Sequence, residues 1–326
     1  MKREYLTIGL YLLPFFIFTS CTNNKDNVTP TQSEVDLIAT PSQALDTPGN
    51  SSPSIDSIDY LFPYNTKTPS HVSTLSSLLL EISSLSFKDG ILYATNDEKG
   101  YIYKLDPNSG KILEKQKFGK NGDYEGVEII KNGDIYVLKS NGDLFLVGKN
   151  ETQKFKTDLS ATNDVEGLGY LADQNLLLLA CKGSPNLKGA VSKIKNTKAV
   201  YSWSTINKKM NLEPHLLIKD SELISYFKKS YSQLTKSKKK KFTKRLKSFA
   251  PSCIAYNDFD KNYYLLSTVG KLLVVISANS EIVHIEFLKS AYFTQPEGIC
   301  FDQNNNMYVS NEGRGLVAKI LKFERK

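Results

Sequence analysis

Three glutamates, each followed directly by glycine, recur along the chain in Tyr124-Glu125-Gly126, Val165-Glu166-Gly167 and Pro296-Glu297-Gly298. Two serines hold the same place in related segments, Ser83 in Ile82-Ser83-Ser84-Leu85 and Ser252 in Pro251-Ser252-Cys253-Ile254. Short polar pairs, Asn96-Asp97 and Asn311-Glu312, close the apolar run that follows two of these segments. Donors made only of oxygen suit a hard divalent cation such as Ca²⁺ or Mg²⁺, and Glu125, Glu166 and Glu297 are the candidate metal ligands. The three histidines, His71, His215 and His284, are scattered, which disfavours zinc. Such a carboxylate set admits two kinds of chemistry. It can bind a cation, or a bound metal can polarise a phosphoryl or ester oxygen while a spare glutamate acts as base. Arg314 offers a guanidinium for an anionic substrate, or is a solvated turn residue. No Ser-His-Asp arrangement, Gly-x-Ser-x-Gly elbow or catalytic-cysteine pattern is present. A structural role competes for each glutamate, which can bond backbone amides of a neighbouring element. Lys139 and Lys182 can neutralise the carboxylates without a metal.

These residues need elements that bring them together, and an internal repeat supplies them. Aligning Ser83, Glu125, Glu166, Ser252 and Glu297 gives steps of 42, 41, 86 and 45 residues, the 86 being about twice the period. Each repeat opens on a short apolar strand and then shows turn chemistry such as Asp89-Gly90 or Asn132-Gly133-Asp134, the mark of a hairpin. Further strands follow, as at 101–105 and 111–118. Four short antiparallel strands every forty-odd residues specify an all-β fold, a β-propeller of four-stranded blades. A strand from about residue 57 to 72 is expected to join the last blade and close the ring. The double step is read as blade three finishing with two strands in 190–203, then a helical basic insertion at about 206–250. Leu223, Phe227, Tyr231 and Leu234 have helical spacing there, behind an Asp220-Ser221 cap. Five blades are expected on this reading, and six if the insertion is a degenerate blade. In a propeller the start of each inner strand and the end of the next strand meet at one mouth. The expected ligand set at that channel mouth is therefore Ser83, Asn96, Asp97, Glu125, Glu166, Ser252, Glu297, Asn311 and Glu312. Converging carboxylates raise one another's pKa unless a cation neutralises them.

The N-terminus reads as an address. Lys2-Arg3, an apolar stretch of about 13 residues from Leu6 to Phe18, and Thr19-Ser20-Cys21 form a secretory signal over 1–20, with Cys21 as the lipidated residue. The apolar stretch is shorter than the roughly 20 residues a membrane span needs. Residues 21–55 are rich in Asn, Thr, Ser, Pro and Asp, the composition of a disordered tether, and the propeller domain is assigned to 56–326. Export and a lipid anchor facing the periplasm, on the cell membrane or the outer membrane, are the expected location. Cys181, Cys253 and Cys300 make no disulfide framework; Cys253 and Cys300 are either a pair or two buried thiols. The net charge of +8 is local, because ten Lys or Arg and no acid lie between Lys228 and Lys247. A uniformly basic nucleic-acid face is excluded, and no nucleic-acid partner is expected. The lysine run is either the solvated side of an amphipathic helix or a contact for anionic headgroups or glycans. A monomer is expected, with no organic cofactor.

The motifs Glu81-Ile82-Ser83-Ser84-Leu85-Ser86-Phe87, Asn96-Asp97-Glu98-Lys99-Gly100, Asp123-Tyr124-Glu125-Gly126, Asn163-Asp164-Val165-Glu166-Gly167, Gln295-Pro296-Glu297-Gly298-Ile299 and Ser310-Asn311-Glu312-Gly313 occur in this order. In this respect the chain, over about 75–326, resembles the SdiA-regulated (YjiK-like) propeller family. The resemblance implies an exported or membrane-anchored β-propeller, distantly similar to phytase-like and lactonase-like propellers. The chain departs from that family's pattern at Ser84 and Cys253, where glycine is usual, and in its basic insertion. The favoured functional reading is a cell-envelope lipoprotein whose propeller binds a ligand, with a divalent-cation site at the channel mouth. The alternative is a metal-dependent phosphoesterase or lactonase.

Overall fold

The computed structural model describes residues 60–326 apart from 191–192; the signal segment, Cys21 and the tether lie outside the described residues. The hairpin chemistry of each repeat is realised as a separate antiparallel sheet, and five sheets follow one another along the chain. The first blade comprises Ile82–Lys88, Ile91–Asn96, Tyr101–Leu105 and Ile112–Lys117. The second comprises Tyr124–Ile129, Ile135–Lys139, Leu144–Val147 and Thr152–Phe155. The fourth comprises Cys253–Asn257, Asn262–Ser267, Leu272–Ile276 and Ile282–Phe287.

The fifth blade takes three strands from the C-terminus, Pro296–Phe301, Met307–Asn311 and Lys319–Phe323, and its fourth, His71–Thr74, from the other end of the domain. The register runs antiparallel from His71 against Lys322 to Thr74 against Lys319, and Tyr64 forms an isolated bridge with Arg325. The closing strand thus begins near the end of the stretch expected for it. Joining both ends of the domain in one sheet leaves the ring without an open seam.

The third blade departs from expectation. Residues 190–203 do not give two strands; one long strand, Thr197–Ser204, follows Val165–Leu171 and Leu176–Cys181. Its outer partner is split, Lys209–Met210 against Trp203 and Ser204, and Leu216–Lys219 against Thr197 to Val200. The insertion therefore starts at about residue 220 rather than 206, because 209–219 are needed to cover the edge of the blade. There are five blades.

The insertion itself is two helices, α1 (Asp220–Ser230) and α2 (Lys236–Lys247), where the spacing of Leu223 to Leu234 suggested one. The chain leaves α1 at Tyr231, whose hydroxyl donates to the Ile285 carbonyl at 2.8 Å while Tyr226 donates to that of Val283 at 2.7 Å. Both acceptors lie on Ile282–Phe287, the outermost strand of the fourth blade, so the helices cover an edge that would otherwise present bare carbonyls. Leu223, Phe227, Leu246 and Phe249 are buried beneath them, and Arg245 donates to the Gly270 and Lys271 carbonyls at 2.5 and 2.6 Å. Lys236, Lys238, Lys240, Lys241, Lys244 and Lys247 remain exposed.

The apolar core is divided into five clusters, each drawing residues from two consecutive blades. The cluster between blades five and one, for example, packs Leu85, Leu92 and Tyr103 against Cys300, Tyr308 and Ile320. Cys181, Cys253 and Cys300 are free and buried within these seams.

Candidate functional site at the channel mouth

The residue shared by the five repeats has a defined backbone role. In blades one, two, three and five the register of the inner strand shifts across one residue, between Ile82 and Ser84, Tyr124 and Gly126, Val165 and Gly167, and Pro296 and Gly298. The skipped residues are Ser83, Glu125, Glu166 and Glu297. Each is the extra residue of a β-bulge, which frees a side chain from the pleat and re-aims it at the rim of the sheet. In blades two, three and five the glycine that follows is required by the neighbouring blade. A Cβ on Gly126 would lie 2.4 Å from the Leu168 Cβ, and one on Gly298 would lie 2.5 Å from the Ser310 Oγ and 2.7 Å from the Leu85 backbone nitrogen. Glu-Gly is thus one unit, with the bulge presenting the acid and the glycine admitting the next strand.

The two serines serve the ring itself. Ser83 donates to the Tyr124 carbonyl at 2.6 Å and Ser252 to that of Pro296 at 3.1 Å, each reaching the first residue of the following inner strand. Asn96 is also engaged, its amide oxygen accepting from the backbone of Glu98 and Lys99 at 3.0 and 3.1 Å.

Glu125, Glu166 and Glu297 lie close enough to feel one another's charge. Glu125 is pushed up to about 10, first by burial and then by the charges of Glu166, Asp123 and Glu297. Glu297 rises to about 8 through burial and Glu166, opposed by Lys182. Burial lifts Glu166 to about 7 against the pull of Lys182, whose ammonium bonds its carboxylate directly. At the seam of blades five and one, burial and Glu81 raise Glu312 to about 8, and burial, Glu81 and Glu98 raise Asp97 to about 6. Lys182 neutralises one carboxylate of the set. Lys139 instead lies over the Tyr124 ring, 5.5 Å from its centre, and Arg314 is an exposed residue of a turn.

Beside the acids lies a group of orphaned polar atoms. Among the described residues, the buried side-chain atoms without a partner are Ser84 Oγ, Asp97 Oδ1, Gln295 Oε1, Ser310 Oγ and both amide atoms of Asn311. All belong to the seam of blades five and one. Asn311 is 2% exposed and stands where Asn96 stands in its own blade, yet nothing satisfies it. Buried unpaired amides are rare and call for a water, an ion or a ligand. Among the described residues, however, no three His, Cys, Asp or Glu side chains are placed to hold one metal ion together.

Sequence reasoning missed Gln295, Glu81 and Asp123. The signal was there, because each stands two residues before the aligned Ser or Glu, as does Asp164. Removing the lysine tests the pairing. Lys182→Met should destabilise the chain by about 1–3 kcal/mol in urea unfolding at pH 8 and by less at pH 5, where Glu166 protonates instead. Glu166→Gln in the same chain should restore most of the loss.

A family model described as SdiA-regulated matches residues 64–315. No curated protein matches the chain. Several solved structures are similar to the chain at low identity. A luciferin-regenerating enzyme is 12% identical, with 74% of this chain and 76% of that chain covered and a TM-score of 0.43. Virginiamycin B lyase from Staphylococcus aureus is 15% identical, covering 75% of this chain and 66% of that one at 0.40. A streptogramin B lyase is 12% identical, covering 77% and 97% at 0.44. At these scores the likenesses carry no argument about activity.

Proposed function

The chain belongs to the SdiA-regulated family, and we propose that its propeller is a cell-envelope ligand-binding module whose acidic mouth takes a hard divalent cation such as Ca²⁺. The observation that carries this reading is Asn311, buried with neither amide atom partnered, among carboxylates raised by burial and by one another's charge. A cation entering there would relieve the repulsion among Glu125, Glu166 and Glu297 and give the orphaned oxygens of Asn311, Asp97 and Gln295 a partner. Ca²⁺ accepts six to eight oxygens in flexible geometry and can keep waters between itself and the more distant carboxylates. Cys21 would hold the module at a membrane.

Metal analysis and melting of the full chain, with Ca²⁺ and with chelator, test the cation site. A saturating cation should raise the melting temperature by about 5 °C. A purified chain free of metal, with a melting temperature indifferent to Ca²⁺ and Mg²⁺, would discard the site. The anchor is tested separately. Cys21→Ala should abolish incorporation of labelled fatty acid and release the protein from the membrane fraction.

One observation favours the catalytic reading, a metal-dependent phosphoesterase or lactonase. Glu166 at about 7 and Glu297 at about 8 lie where a general acid or base works best. Turnover of a phosphoester or lactone, lost with chelator and with Glu166→Gln, would establish that reading over binding alone.

A further inference from the structure

A cavity lies at the other end of the channel. Its volume is about 870 Å³, and it is lined by the C-terminal ends of the inner strands and by the hairpin turns that follow them. Inner strands of five to seven residues, rising roughly 3.3 Å each, separate it from the acidic mouth. Phe87, Tyr170, Tyr256 and Phe301 stand at equivalent positions of four inner strands, and all four line the cavity while only partly buried.

One position inward, the five strands carry Ser86, Glu128, Gly169, Ala255 and Cys300. Of these, Ser86, Ala255 and Cys300 line the cavity and are small, which leaves the space, and Glu128 adds a carboxylate. Glu128 lines the cavity and is held by Ser86, whose Oγ donates to its Oε2 at 2.8 Å. No basic side chain pairs with it among the ion pairs of the described residues. Burial raises its pKa to about 8, so an isolated negative charge there is costly until a cation arrives. The rim adds Asp89, Asp258 and Asp302 against Lys88 and Lys131, and Lys131 already faces Asp173 at 3.8 Å.

We propose that this cavity is a second binding site, independent of the acidic mouth, for a small organic cation such as an amine or quaternary ammonium on an apolar body. The charge rests on Glu128, and the body packs between the four rings, whose faces also attract a cation. Sequence reading passed over the site because an isolated glutamate within an apolar strand has no motif around it.

Calorimetric titration of the full chain with phenethylamine and with 3-phenylpropionate, two probes sharing a ring but opposite in charge, tests the assignment. The amine should bind at least about tenfold tighter than the acid. Glu128→Gln should erase that preference, Tyr256→Ala should weaken the amine about tenfold, and Glu297→Gln should leave it unchanged. Equal affinity for the two probes, or no binding of the amine up to about 10 mM, would overturn the proposal. So would a folded Glu128→Gln that keeps the preference. Should either variant fail to fold, the other and the probe pair still decide.

Discussion

Glu125→Gln and Glu297→Gln are expected to melt higher than the parent chain at pH 8, in the absence of added cation, and to flatten its decline in stability with pH. The two carboxyls stand at about 10 and about 8 in the folded chain against an ordinary value of 4.5. A raised folded pKa means that the folded state holds its proton more tightly than the unfolded chain does. The stability so contributed is complete below about 4.5 and is lost as the pH rises through about 8 and then about 10. Glutamine has the shape of the protonated acid and cannot ionise. Each substitution should therefore gain about 2 kcal/mol at pH 8, roughly 3–4 °C of melting temperature in a chain of this size. Ca²⁺ should oppose the same decline in the parent chain, because it stabilises the ionised carboxylates, and should do so less in either variant. A parent chain that melts at one temperature from about pH 5.5 to 8.5 would show that the acids do not share a desolvated mouth.

Gly298→Ala should be strongly damaging to the ring. The added Cβ meets the Leu85 backbone nitrogen at 2.7 Å and the Leu85 Cβ at 2.8 Å, and it meets the Ser310 Oγ at 2.5 Å. A hydroxyl can turn away, but the backbone of the first blade cannot yield without opening the seam between blades five and one. A cost of about 3 kcal/mol is expected in urea unfolding. The control is Ser84→Ala at the aligned position of the first blade. The Ser84 hydroxyl is buried without a partner, so its removal should cost less than about 1 kcal/mol or stabilise the chain. Similar losses in both variants would mean that the close approach of blades five and one does not set the packing there.

The blades were legible because their determinants are local. A strand, a hairpin turn and a second strand lie within about fifteen residues, and turn residues such as Asp89-Gly90 act on their own stretch of backbone. The third blade was misread for the complementary reason. Lys209–Met210 and Leu216–Lys219 are too short and interrupted to show alternation, and they become strands only against Thr197–Ser204. The helical insertion was legible in its apolar spacing. Its break at Tyr231 was not, because the tyrosine hydroxyl answers to a carbonyl 54 residues away.

The recurring Ser or Glu at the head of each repeat follows the same division. By itself the sequence determined the period, the Glu-Gly pairs, and so the gathering of Glu125, Glu166 and Glu297 at one opening, because a fixed repeat in a closed ring returns equivalent residues to equivalent places. Only the tertiary structure decided that these acids sit in bulges, that Lys182 neutralises one of them, and that Asn96 is satisfied while Asn311 is not. Those outcomes depend on burial and on contacts between blades, where a side chain's charge and partners are set by neighbours forty or more residues distant.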